Sequence, residues 1–218
     1  MKSLITAACV GTLLLPFLLR NSFKEKRIIS QIEKSLPYIQ GVLQVDSVRQ
    51  RSGQKIAKII NRFNANMTKS MRQQIADEIY NMSIKYPNID VDLICATITH
   101  ESGYAWNPKA VSNAGAMGLM QIMPNTGKWL AKYEAFKWNS TKETLFNPLY
   151  NIRMGSRYLS ALIETYDLEG GLAAYNGGIT RTAMWLANNK NNAILWAETR
   201  NYIPSVLKLY DEFKSSAL

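Results

Sequence analysis

From Pro87 to the C-terminus the chain reads as one helical segment after another, with no convincing run of alternating apolar and polar residues. The fold expected is therefore mainly α. Asp90 or Asp92 can cap a helix running to about Glu101, and Asn147-Pro148 supplies an N-cap and a first-turn proline for a helix to about Tyr166. A short helix, Leu172 to Asn176, is stopped by Gly177-Gly178, and Thr180 to Ala187 and Thr199 to Phe213 supply two more. Between Ser102 and Pro124 the periodicity gives way to one long loop.

A chain of 218 residues accommodates one catalytic domain plus an N-terminal extension. We divide it into residues 1–20, a signal peptide or membrane anchor; 21–86, a basic helical extension; and 87–218, the catalytic domain. Helices are expected around Phe23 to Leu36, from about Gly53 to Phe63, and from Met67 to Tyr86, punctuated by Pro37, the Gly41 region and Ser52-Gly53. The last helix places Ile75, Ile79 and Met82 on one face. This stretch carries no chemistry that can be read from it; a stalk, a module packed on the catalytic domain and an arm for an envelope protein partner all fit.

The net charge of +10 is uneven: residues 20 to 86 hold 13 basic and 5 acidic residues, whereas residues 87 to 218 hold 12 and 11. A solvated helical face is the favoured reading of the surplus, over contact with anionic lipid or an acidic polymer. Residues 3 to 19 form an uncharged, mostly apolar run that suits a signal peptide or a short anchor. No small-x-small cleavage pattern follows, so an uncleaved anchor is favoured. Arg20, Lys24, Lys26 and Arg27 would hold the following side in the cytoplasm by the positive-inside rule. Against that rule, the periplasmic side of the envelope is the expected location.

The two cysteines, Cys9 and Cys95, are not expected to pair, and with His100 the single histidine, a cysteine- or histidine-rich zinc site is excluded by count. No metal, other cofactor or nucleic-acid partner is expected. Chemistry falls to carboxylates, hydroxyls and amides. On its helix Glu101 shares a face with Ile98, Thr97 and Ile94. A glutamate held on that apolar side would have a raised pKa and could serve as a general acid, whereas one at a frayed helix end would have its head in water; from the helix alone these stand level. His100 points about 100° away from Glu101 and reads as a packing or surface residue. Cys95 reads as a small buried hydrophobe.

The loop after Glu101 concentrates glycines, Tyr104, Trp106, Asn107, Asn113 and Gln121. Flat apolar faces beside neutral hydrogen-bonding groups suit a sugar, although Tyr104 and Trp106 could instead be core packing, the commoner outcome for lone aromatics. The blocks ITHESGYAWNPKAVSNAGAMGLMQIMP, NPLYNIRMGSRYL, LAAYNGG and WAETRNYIPSV follow in that order. Together they resemble the successive motifs of soluble lytic transglycosylases, relatives of goose-type lysozyme, over about residues 87 to 213.

The resemblance implies a lysozyme-like helical domain acting on peptidoglycan glycan strands. It implies Glu101 as catalytic acid and base, and Ser102 beside the substrate. It implies that Gly118 lets the backbone approach, Met120 lines the cleft and Gln121 bonds the sugar. Tyr175 and Asn176 would stand near the glutamate and the cleaved sugar, and Glu198 and Tyr202 would border the cleft. Ordinary glycosidases use two carboxylates about 5 to 9.5 Å apart. Here the motif block supplies one, which fits the intramolecular closure that the resemblance implies. Hydrolysis with a second carboxylate, Glu198 first, and a non-catalytic peptidoglycan scaffold are the alternatives.

Overall fold

The computed structural model describes residues 44–216 throughout, with 27, 30, 31, 33–37 and 41 before them. The expected apolar address at residues 3 to 19 and Cys9 lie outside the described residues. Among the described residues no helix is long and apolar enough to cross a membrane. The chain divides into two compact units, Met1–Arg49 and Gln50–Leu218. Described residues of the first are helical and exposed.

In the second unit, α1 (residues 50–63) is followed by α2 (Lys69–Lys85), α3 (Val91–Glu101), α4 (Pro124–Leu130), a 3-10 turn (Ala131–Tyr133), α5 (Thr141–Leu145), α6 (Pro148–Gly177), α7 (Ile179–Ala187) and α8 (Ala197–Ser215). No strand forms among the described residues. Two isolated bridges, Val111 to Met117 and Met117 to Ile122, stiffen the long loop. The starts obey local chemistry: the side chains of Thr68, Asp90 and Asn147 accept hydrogen bonds from the first-turn amides of α2, α3 and α6. Each such cap contributes about 1 kcal/mol.

Ser52-Gly53 does not break the chain as expected, because the helix runs through both. A mid-helix glycine costs about 1 kcal/mol relative to alanine. Ile56, Ile59 and Ile60 on the same helix enter the core and outweigh that cost. Residues 50–86 thus share one core with the following helices: Ile75, Ile79 and Met82 of α2 pack together with Leu93, Ile94 and Ile98 of α3.

The central helix is α3, buried from Asp92 to Thr99. Helix α8 packs along it, while α6 packs on α2, α7 and α8. Near its middle α6 breaks at Asp167, whose φ of 67° lies in the left-handed region; its Oδ1 accepts from Gly170 N at 2.8 Å and restarts the helix. The expected end near Tyr166 and the separate helix stopped by Gly177 thus correspond to the two segments of α6. Pro204 lies within α8 on an exposed position, where the carbonyl it leaves without an amide can be hydrated.

Candidate active site

Glu101 is the last residue of α3, one turn beyond the fully buried Thr97 and Ile98. Burial pushes its carboxyl up from 4.5 to about 7; the Tyr202 hydroxyl lowers it and the Glu198 charge raises it further. No cation pairs with it among the described residues. Of the two readings left open by the helix, the desolvated carboxyl is the one seen, on a residue that is itself half-buried. The next residue, Ser102, ends the helix, and its Oγ accepts from Trp106 N at 3.0 Å. Trp106 is wholly buried, donating through Nε1 to Thr99 Oγ1 at 3.0 Å. It is therefore core, not a sugar platform, whereas Tyr104 is 48% exposed and packs against Phe63 and His100.

The segment Gly118 to Gln121 is folded as a tight turn. Gly118 has φ 83°, and a Cβ there would lie 2.3 Å from Asn151 Nδ2 and 2.4 Å from Leu145 O. Both the left-handed backbone and the close approach demand glycine. Gln121 also has positive φ, and its side-chain amide donates to Gly118 O at 2.8 Å, which spends one donor inside the turn. Met120 differs from the expectation that its side chain lines the cleft. That side chain is completely buried, so close to Gly155 that a Cβ there would come within 2.4 Å of its sulfur. Its backbone is what faces the other site residues: the Met120 carbonyl accepts from the Tyr175 hydroxyl at 2.8 Å. The residue is apolar and the inter-helix space is large enough to enclose it, so packing wins.

Opposite stand α6 and α8. Asn176 accepts from Thr199 Oγ1 at 2.7 Å and donates to Glu198 Oε1 at 3.4 Å, tying the end of α6 to the first turn of α8. Glu198 is exposed. The ring of Tyr202 is buried, its hydroxyl without a well-formed hydrogen bond although near enough to Glu101 to influence its charge. Burial, and then the Glu101 charge, hold the Tyr175 and Tyr202 phenols well above their ordinary pKa, so both are neutral. His100 meets Tyr202 edge to face at 4.8 Å, and burial lowers its pKa. It packs beside the site, as its helical position suggests.

The structure thus groups Glu101 with Tyr175, Tyr202 and Glu198 by electrostatic contact, and Tyr175 with Met120 and Asn176 with Glu198 by hydrogen bonds. Two residues that matter for this geometry were not singled out from sequence. Asn151, buried in α6, accepts from Met120 N at 2.7 Å and donates to Met117 O at 2.9 Å and Leu145 O at 3.0 Å, pinning the glycine turn to the helix. Thr199 fixes Asn176. An amide in a helix interior, four residues after its cap, was the available signal for Asn151. Chemically, the arrangement presents a protonatable carboxyl at near-neutral pH beside two neutral phenols, with one further carboxylate within electrostatic reach.

Residues 78–196 match the family described as Transglycosylase SLT domain. The chain is 36% identical over 119 residues to the soluble lytic murein transglycosylase of Escherichia coli K12, covering 50% of this chain and 18% of that protein. To the membrane-bound lytic murein transglycosylase C of Glaesserella parasuis it is 31% identical over 157 residues, covering 67% and 42%. Among solved structures, the 70 kDa soluble lytic transglycosylase of Escherichia coli superposes with a TM-score of 0.52 at 30% identity, over 66% of this chain and 27% of that one. The complex of the 70 kDa enzyme with bulgecin A gives a TM-score of 0.56 at 29% identity, over 67% and 26%. The chain therefore spans about a fifth of the length of the soluble curated relative and under half of the membrane-bound one. With more than half of its length inside the family match, and with the helical fold shared by the solved enzymes, this chain belongs to the Transglycosylase SLT domain family.

Proposed function

We propose that the chain is a peptidoglycan lytic transglycosylase that cleaves the β-1,4 bond from MurNAc to GlcNAc and leaves a 1,6-anhydro-MurNAc end. The observation that carries this is Glu101: a carboxyl raised to about 7 by burial, with no cation among the described residues to hold it ionised. In the protonated form it donates to the glycosidic oxygen as the C1–O bond breaks. The substrate's acetamido group shares the developing positive charge. Ionised Glu101 then takes the C6 hydroxyl proton as that oxygen closes on C1, which restores the acid. No water is consumed. Gln121, Tyr175 and Asn176 orient the sugar, Gly118 and the Met120 backbone bring the chain close to it, and Ser102, Glu198 and Tyr202 border the cleft.

A second reading has one observation in its favour. Glu198 is close enough to raise the Glu101 pKa, so it could activate water and give a hydrolase. Mass spectrometry of soluble products from purified peptidoglycan, with the full chain and its Glu101→Gln variant, separates the readings. Anhydro-muropeptides made only by the unmutated chain are expected. Reducing muropeptides would replace the lyase by a hydrolase, and binding without products would leave a scaffold. The relatives' names, soluble and membrane-bound lytic murein transglycosylase, fit a place on the periplasmic side of the envelope, with membrane attachment through residues 3–19.

A further inference from the structure

Away from Glu101, α1 and α2 flank an open cavity of about 510 Å³ lined by Gln54, Ala57, Lys58, Asn61, Arg62 and Arg72. Three of the six are cations, two are primary amides, and the lone apolar member is small. The cations differ from those that brace the fold. Lys55, Arg153 and Arg157 each meet a carboxylate, on Asp92, Glu78 and Glu134 respectively. Around the cavity, Arg62 alone has one, Glu212 of α8. Lys58 is exposed and forms no ion pair among the described residues.

Arg72 is the most constrained of the three. Its two terminal nitrogens donate to Asn61 Oδ1 at 2.7 Å and Met67 O at 2.9 Å, both neutral acceptors. Its Nε is buried with no acceptor. A guanidinium fixed in this way carries a full charge and more N–H donors than the two that the protein satisfies. Planar guanidinium with a nearby ammonium is the donor set that recognises phosphate and carboxylate oxygens.

We propose that this cavity is an oxyanion-binding site, taking a phosphate or carboxylate group of a ligand between Lys58 and Arg72, with Asn61 and Gln54 as neutral donors. It is separate from the chemistry at Glu101 and does not depend on it. It gives part of the basic surplus of the N-terminal third a purpose beyond solvation.

The test titrates the full chain with inorganic phosphate and, separately, with glutarate, following backbone amides by NMR at low salt. Saturable shifts confined to the α1 and α2 residues around the cavity are expected with at least one of the two. Saturation with phosphate alone assigns a phosphoryl ligand, and with glutarate alone an acidic peptide or carboxylated polymer; either supports the site. Lys58→Gln, at an exposed position where folding is not at stake, weakens the binding about tenfold, the loss of one charge-assisted bond. Lys69→Gln, an exposed charge outside the cavity, leaves it unchanged. Shifts that never saturate, or equal weakening by the two variants, would overturn the proposal in favour of diffuse attraction. Phosphatidylglycerol vesicles supply the third arm: capture that free phosphate displaces and Lys58→Gln weakens places a headgroup in the cavity.

Discussion

Two regions of this molecule withdraw carboxylates from water and treat them oppositely. Between α2, α6 and the 3-10 turn, Glu78 and Glu134 face Arg153 and Arg157 at 2.7 and 2.6 Å, and at the start of α3 Asp92 meets Lys55. At the far end of α3, Glu101 meets two phenols and another carboxylate. The first arrangement pairs each acid with a cation from another element and ties those elements together. The second makes the proton cheap to hold near neutral pH. Desolvation is common to both regions, so the presence or absence of a cation decides whether a buried acid braces the fold or carries a proton.

The comparison breaks most visibly if the proton is removed. Glu101→Gln is expected to lower turnover on purified peptidoglycan by about a thousandfold, the scale of general acid catalysis, with the circular dichroism spectrum unchanged. The same substitution should stabilise the fold at alkaline pH. Because the folded pKa is raised above the ordinary 4.5, the wild-type chain loses stability as pH climbs from about 4.5 through about 7. Urea unfolding at pH 8 against pH 4 should therefore show the variant gaining about 1–3 kcal/mol at the higher pH relative to the wild type. No pH-dependent gain would mean that the carboxyl is solvated.

Breaking a brace should do the reverse. Glu78→Gln leaves Arg153 without its carboxylate and is expected to cost about 3 kcal/mol in urea unfolding, with turnover on the remaining folded protein changed less than about threefold. A thousandfold loss of turnover instead would show that the two regions are not separable. Asn151→Ala lies between these extremes. It removes the acceptor for Met120 N and the donors to Met117 and Leu145, so both stability, by about 2 kcal/mol, and turnover should fall.

The smallest effects sharpen the site itself. Tyr202→Phe removes the group that lowers the Glu101 pKa, and Glu198→Gln removes one that raises it. The alkaline limb of the activity profile should move upward in the first variant and downward in the second. If Glu198→Gln instead abolishes turnover at every pH, Glu198 is the base of a hydrolase.

The α2 and α3 helices and the longer ones after them were legible because their caps and apolar spacings are local: Asp90, Asn147 and the series Ile75, Ile79, Met82 need no distant partner to be read. The short α4 and α5 were not read. Five to seven residues give too few turns for a period, and their helicity depends on packing near Leu145 and Trp138. In the site, Glu101 could be nominated from its helical face, but that face alone left open whether its head is dry.

By itself the sequence determined that the chain is helical, where most helices start, and which carboxyl stands at the head of the motif series. Tertiary structure decided three things. It drew residues 50–86 into the common core, turned Met120 and Trp106 inward, and, among the described residues, left Glu101 without a cation while giving one to Glu78, Asp92 and Glu134. Helix starts and periodicity depend on neighbours within a few residues. Burial and charge pairing depend on groups brought together from far along the chain, 75 positions for Glu78 and Arg153 and 150 for Arg62 and Glu212, and no local pattern records them.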